Sequence, residues 1–328
     1  MKKKITALVT VMALLMMTMA GCGSSAQPSA GGEGGQVYKI GICQQLEHPA
    51  LDLATQGFEE KLTELLGEGN VEFDLQNAQG EAANCSTIAS GFVASQVDLM
   101  MANATTALQA CAAASADIPV VGTSVTDYGT ALEIDNWTGV TGTNVTGASD
   151  LAPLDKQAEM IKELVPDVKM VGLLYCSAEP NSVYQVQEIG KCLDTMGIAH
   201  KDFSAADSNE IQSVVTKAVA ECDALYIPTD NTMASNTEIV NNICAPAKVP
   251  VIAGEQGICS GCGIATLSIS YYDIGVAAAE LAYEILVNGA DPGTLEIRTA
   301  PTVTKLYNAA LCEQLGITIP DGYEPIES

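Results

Sequence analysis

The sequence predicts an α/β protein made of two similar lobes, each built on a parallel sheet. Three observations carry that reading. Short apolar runs alternate with helical stretches, the pattern of βαβ units with right-handed crossovers. The alternation stops at residues 127–153, which are rich in Gly, Thr, Asn and Asp, and then begins again. The two runs also align piece by piece: Gly41 with Gly172, Asp98 with Asp223, and Pro119 with Pro250, at nearly constant spacing.

In the first half, strands are expected at Tyr38 to Cys43, Val71 to Leu75, Leu99 to Ala102 and Pro119 to Val121. Helices are expected between them, over 51–66, 83–95 and 107–116, where apolar residues recur with helical period. Residues 127–153 have no helical period and read as loops or a crossing between lobes. Leu154 to Val165 is an amphipathic helix stopped by Pro166. In the second half, strands are expected at Val171 to Tyr175, Lys201 to Ser204, Asp223 to Ile227 and Val249 to Ile252. Helices are expected over 183–196, 211–220 and 237–245. Tyr271 to Leu286 is a further Ala-rich helix, followed by a strand at Thr302 to Tyr307 and a short helix at Asn308 to Leu315. Segments that follow a completed second lobe imply a return to the first lobe and one more crossing.

The start of the chain reads as a processing segment. Lys2, Lys3 and Lys4 precede an apolar stretch from Ile5 to Ala20, too short for a stable membrane span. It ends in Met19-Ala20-Gly21-Cys22, which resembles a bacterial lipobox with Met where Leu is usual; Cys22 then becomes the lipidated first residue. The alternative is a plain secretory signal with an incidental Cys. Residues 23–36, rich in Gly, Ser and Ala, read as a flexible tether. The division expected is a signal peptide over 1–21, a tether over 22–36, a first lobe of 37–148 plus 265–292, and a second lobe of 149–264 plus 293–328.

Composition narrows the function. Of 328 residues, 40 are Asp or Glu and 14 Lys or Arg, for a net charge of −26. Nucleic acid is excluded as a partner, since phosphate binding needs clustered basic residues. Eleven Cys and two His are present. Most of the Cys fall in helical patterns or at strand ends, where they act as small hydrophobes. Cys259-Ser260-Gly261-Cys262 is the exception, open to a local disulfide or two idle thiols. With no second Cys pair and no His pair, no metal site is expected. No cofactor motif and no catalytic motif occurs: there is no GxSxG, HExxH, P-loop or GxGxxG, so the chain does not read as an enzyme.

Candidate binding residues lie just beyond the carboxyl ends of the strands, where open α/β sheets keep their ligands. Pro228-Thr229-Asp230-Asn231 is the richest such tip, although it also reads as a turn followed by a helix cap. The other tips offer Gln45 and His48, Thr105 and Thr106, Ser124, Ser177 and Asn181, and Glu255. His48 has the alternative of capping the helix that it precedes, and Glu255 that of a structural ion pair. Tyr128 and Tyr184 are candidates for an aromatic wall.

Ile40-Gly41-Ile42, Glu47-His48-Pro49-Ala50-Leu51-Asp52, Gly57-Phe58, Asn77-Ala78-Gln79-Gly80, Asn144-Val145-Thr146-Gly147, Tyr226 to Asn231 and Tyr271-Tyr272-Asp273-Ile274-Gly275 occur in an order and spacing similar to the substrate-binding lipoproteins of bacterial ABC transporters. More narrowly, they resemble the branch associated with aromatic amino acid uptake. The resemblance covers nearly the whole chain beyond the tether. It implies a type I periplasmic-binding fold: two Rossmann-like lobes, joined by three hinge crossings, that close over a solute. It further implies a monomer lipid-anchored outside the cytoplasm and an ABC permease as partner. The family's Asn-Ser tip stands here as Asn181-Ser182. The departures are the Cys-rich core and Cys259 to Cys262.

An amino acid zwitterion must have both charges paired if it is buried. The tips at Thr105, Thr106 and Ser124 suit its carboxylate, with hydroxyls and free N–H groups at helix starts. Asp230 and Glu255 suit its ammonium group. Thr229 and Asn231 offer hydrogen bonds beside Asp230, and Gln45 and His48 on one side, with Ser177 and Asn181 on the other, complete a polar ring. Competing solutes for the same fold are a sugar, a nucleoside or a branched-chain amino acid. A sugar site usually stacks on aromatic rings, of which this chain has few. A sensor reporting to a membrane receptor is a further alternative to a transport role.

Overall fold

The computed structural model describes residues 36–300 and 302–326. The expected signal peptide, Cys22 and nearly all of the tether therefore lie outside the described residues. From Gln36 onward the chain forms one compact unit. Among the described residues, no helix is long and apolar enough to cross a membrane.

Two sheets organise the molecule. The first contains β1 (Tyr38–Gln44), β2 (Val71–Asn77), β3 (Leu99–Asn103), β4 (Val120–Val125) and β5 (Val145–Ser149). The second contains β6 (Met170–Cys176), β7 (Ala199–Ala205), β8 (Ala224–Ile227), β9 (Val251–Ala253) and β10 (Ala265–Ile269). Late in the chain come β11 (Arg298–Thr299), β12 (Val303–Tyr307) and β13 (Glu324–Pro325). The orders are β11-β5-β4-β3-β1-β2 and β13-β12-β10-β9-β8-β6-β7. All pairings are parallel except β12 with β10. The central strands are buried aliphatic runs, as a sheet covered on both faces requires.

The strand orders make the chain pass between the sheets three times: after β5, after β10 and after β11. On its return to the first sheet, the helix Tyr271–Asn288 packs along Pro49–Leu66. That crossing is tight because both helices offer glycine. A Cβ on Gly57 would run into the Tyr272 carbonyl, and one on Gly275 into that of Ala54. The matched pair Gly41 and Gly172 also has one physical cause. A Cβ would come within 2.5 Å of the Phe92 ring in the first lobe and of a Leu225 methyl in the second.

Three sequence expectations are corrected. Residues 127–153 are not all loop: they contain the short helix Tyr128–Ala131 and the strand β5, whose five residues are all buried. Val-Thr-Gly-Ala-Ser is too small and polar to show as an apolar run, and its place is fixed by pairing with β4. The first lobe does not resume at 265, because β10 pairs with β9 and β12 and completes the second sheet. The stretch from 293 is not all second lobe, since β11 pairs with β5.

Candidate functional site

The strand tips of both sheets face a narrow shared gap. Its lining includes His48, Ser124 and Asp150 from the first lobe and Asn181, Asp230, Asn231 and Glu255 from the second. No Lys or Arg lines it.

The second-lobe carboxylates are held by helix starts. Asp230 caps the helix Asn231–Ala234: one oxygen accepts from the Met233 N–H at 2.8 Å, the other from the Cys176 N–H at 2.6 Å. The turn-and-cap reading of this tip is thus correct, and the same capped carboxylate lines the gap. Glu255 caps Gln256–Cys262, accepting from the Gly257 N–H at 2.5 Å and from the Ile258 N–H. Glu179 accepts from the backbone and side chains of both Asn231 and Thr232, at 2.7–3.0 Å. Capping of this kind fixes a carboxylate's position without cancelling its charge.

The first-lobe tips are built differently. Ala104 and Ser124 take positive φ values of 88° and 56° at the ends of β3 and β4. Non-glycine residues rarely hold such conformations, which cluster at functional sites. The Oγ atoms of Thr105 and Ser124 and the Nδ1 of His48 are buried without a hydrogen-bond partner. Native proteins leave few such atoms. Asp150, just past β5, is the one acid on this side. Its carboxylate accepts from Thr126 Oγ1 at 2.9 Å and from the Tyr271 hydroxyl at 3.0 Å.

Hydrogen bonds join the lobes directly. His48 Nε2 lies 3.1 Å from Asn231 Oδ1. The Asn231 amide nitrogen donates to Glu179 at 2.7 Å, so its oxygen faces His48 and the proton sits on His48 Nε2. His48 Nδ1 is then the ring atom left toward the gap. Although His48 precedes Pro49–Leu66, its side chain does not cap that helix. Gln185 donates to Thr229 Oγ1 at 2.6 Å and reaches Thr126 of the first lobe at 3.4 Å.

Burial raises the carboxyl pKa values here. Asp150 is pushed up to about 6, chiefly by loss of solvent, with Thr126 and Tyr271 pulling the other way and the charge of Glu255 adding a little. Asp230 is raised by burial and then by the charge of Glu179. Glu255 is raised by burial, with His48 opposing. Acids crowded without a cation favour taking one up.

Of the residues expected from sequence, His48, Ser124, Asn181, Asp230, Asn231 and Glu255 meet at the gap. Thr105 lines an adjoining cleft with Asn181 and Tyr184. Gln45 and Thr106 line an outer groove between the lobes, where Gln45 Oε1 accepts from the Thr106 N–H at 3.2 Å. Ser177 is exposed and bonds to the Ala205 carbonyl, away from the gap. Tyr128 is a core residue whose hydroxyl donates to the Ala148 carbonyl at 3.2 Å. The Glu255 carboxylate is a helix cap, and no ion pair to it is formed among the described residues. Sequence reasoning missed Asp150 and Tyr271, which follow β5 and β10. Those two strands occupy matching places in the two halves, so extending the internal alignment past Pro119 and Pro250 was the signal that pointed to both.

Cys259 and Cys262 are buried free thiols on one helix, and the other eight described Cys are also free. Among the described residues, no group of His, Cys, Asp and Glu is arranged to hold a metal ion.

Comparison with known proteins agrees with this architecture. Residues 39–323 match the model for the ABC transporter substrate binding protein family. A tyrosine-binding protein of Clostridioides difficile (strain R20291) is 33% identical over 316 residues, covering 93% of this chain and 90% of that protein. The ABC domain from Streptococcus pneumonia in complex with L-Trp is 34% identical, with a TM-score of 0.83 over 87% of this chain and 97% of that one. The ligand-free, open structure of a substrate binding protein with adhesive properties from Clostridium difficile is 33% identical, with a TM-score of 0.68 over 89% of this chain and 100% of that one. At nearly equal identity, the better superposition is with the tryptophan complex, in keeping with the hydrogen bonds that join the lobes here. With two sheets, three crossings and a family match that runs almost end to end, the chain belongs to the ABC transporter substrate-binding proteins, in the type I periplasmic-binding fold.

Proposed function

We propose that this protein captures a zwitterionic aromatic amino acid between its lobes and hands it to an ABC permease. The observation that carries the reading is the chemical asymmetry of the gap. Three buried carboxyl groups, Asp150, Asp230 and Glu255, stand with no Lys or Arg beside them, next to unpaired polar atoms on Ser124 and His48. An ammonium group answers the first set. A carboxylate answers the Thr105 and Ser124 hydroxyls and the start of the helix Thr105–Ala114. The names of the relatives, one tyrosine-binding and one solved with L-Trp, support an aromatic side chain.

Capture drives closure only if the ligand touches both lobes. Moving a mostly open protein to mostly closed takes about 5.5 kcal/mol of such preference. One desolvated charge pair and a few hydrogen bonds are of that order. Proteins of this family work outside the cytoplasm. We place this one as a monomer tethered through a lipid on Cys22, with residues 23–36 as the spacer.

Calorimetry with each of the twenty amino acids, on the chain from residue 36, tests the reading. Saturable heat from an aromatic amino acid is expected. Heat from a sugar or nucleoside alone would remove the ligand class. Palmitate labelling in cells that is lost in Cys22→Ala tests the anchor; labelling that persists would exclude it.

A further inference from the structure

Glu179 is 3% exposed and precedes the helix Pro180–Thr195, yet its side chain does not cap that helix. It reaches the helix Asn231–Ala234 of the same lobe instead. One carboxylate oxygen accepts from the Thr232 N–H at 2.8 Å and from the Thr232 hydroxyl at 2.7 Å. The other accepts from the Asn231 N–H at 3.0 Å and from the Asn231 side-chain amide at 2.7 Å. A carboxylate only accepts, so Asn231 Nδ2 is held toward Glu179 and Oδ1 is turned the other way. What Oδ1 meets is His48 Nε2 of the first lobe, at 3.1 Å. Thr126 meets Thr229 and Gln185 across the gap only at 3.4 Å, so the bond to His48 is the shortest of these three. Glu179 itself does not line the gap.

We infer that Glu179 is a positioning residue for closure. From the second lobe it pre-orders the Asn231 oxygen as the acceptor for His48 of the first, and so sets how readily the lobes close. The inference rests on the two-lobe capture described above, but not on which solute is captured. Without Glu179, the Asn231 side chain is free to turn, and the bond across the gap must bear the cost of ordering it. With Glu179, that cost is met within one lobe before the lobes meet. A ligand held by both lobes binds the closed form, so a larger closed share raises its affinity without any contact to Glu179.

Two measurements on the chain from residue 36 test this. The first is small-angle X-ray scattering without ligand. Glu179→Met and His48→Leu are expected to give a larger radius of gyration than the wild type. His48→Gln, which keeps a donor near the place of Nε2, is expected to match the wild type. A wild type no more compact than Glu179→Met overturns the inference, as does a His48→Gln form as expanded as His48→Leu. The second is a calorimetric cycle with L-tyrosine or L-tryptophan, whichever binds the wild type. Ordering one side chain is worth about two- to twelvefold. Glu179→Met is therefore expected to cost at least about threefold more affinity in the wild type than in His48→Leu. Equal costs in the two backgrounds overturn the inference and leave the aromatic amino acid reading standing. If neither amino acid binds the wild type, that reading falls, and scattering still decides this one. If Glu179→Met does not fold, Glu179→Gln takes its place, because it sets an N–H against donors that otherwise meet only acceptors.

Discussion

The tips of the two sheets share a fold and differ in chemistry. In the second lobe, Glu179, Asp230 and Glu255 are anchored by backbone N–H groups at helix starts, on regular backbone. In the first lobe, Ala104 and Ser124 hold strained backbone, and Thr105 and Ser124 present hydroxyls with nothing to bond. One side is a fixed set of acids whose hydrogen bonds are already made. The other is a set of hydrogen-bonding atoms still unused. A repeated fold therefore does not imply a repeated binding role. Two like lobes become a site for a dipolar molecule because each tip carries what the other lacks.

Removing an acid tests the contrast most severely. Asp150→Asn is expected to weaken binding of the amino acid by about 100-fold or more, the scale for deleting one partner of a buried charge pair. Asp150 is not a cap, so the ligand-free protein should keep or gain stability. Asp230→Ala should weaken binding as much, and it should also lower the ligand-free melting temperature by several degrees. Its loss removes a helix cap, worth about 0.5–2 kcal/mol, and leaves the buried Cys176 N–H unpaired, at about 1–3 kcal/mol. Equal melting temperatures for the two variants would break the contrast between capped and uncapped acids.

The pH dependence comes next in size. With Asp150 at about 6 in the ligand-free protein, an ammonium ligand must draw it into its ionised form. Affinity is expected to fall by up to about tenfold per pH unit below 6. Proton release on binding near pH 6 should appear as heat that varies with the buffer's ionisation enthalpy. For ligand-free stability the sign is opposite. The folded pKa lies above the unfolded value of 3.8, so the native state holds more protons in between. The stability contributed by this group is full below 3.8 and is lost as pH rises through 6. Thermal melts of wild type against Asp150→Asn isolate this effect, and wild type should lose ground to the variant from pH 4 to 7.

Smaller effects are expected at the unpaired hydroxyls. Thr105→Val and Ser124→Ala should each weaken binding by about three- to tenfold, the worth of one hydrogen bond. Neither should lower ligand-free stability, since each removes a buried polar atom with no partner. A marked fall in melting temperature with unchanged affinity would make these hydroxyls structural. Smallest is Ala104→Gly. Relief of a backbone conformation costing about 1–3 kcal/mol outweighs the added chain entropy of glycine, roughly 0.5–1 kcal/mol. A rise in melting temperature is expected; a fall would mean that the φ of 88° carries no strain.

Much of this was legible in advance, for identifiable reasons. The buried strands at Leu99–Asn103 and Ala224–Ile227 are apolar runs of the kind a parallel sheet covered on both faces needs, and the Gly41/Gly172 match marked a crowded point on the first strand of each lobe. Asp230 and Glu255 were visible because a polar tip follows such a run. Asp150 was hidden because β5 is made of small residues whose strand character comes from its neighbours. Ser177 has the right residue type and the right tip, but its backbone and hydroxyl turn to β7 instead.

The order of residues along the chain determined the alternation of strands and helices, the internal duplication, and the position of polar groups at strand ends. Each of these rests on period, composition or turn chemistry, which act locally. Folding alone decided which tips share a gap, which carboxylates are capped, and which polar atoms are left without partners. Those outcomes depend on groups as far apart as His48 and Asn231, or Tyr271 and Asp150, and on burial that exists only once the strand tips of both sheets meet.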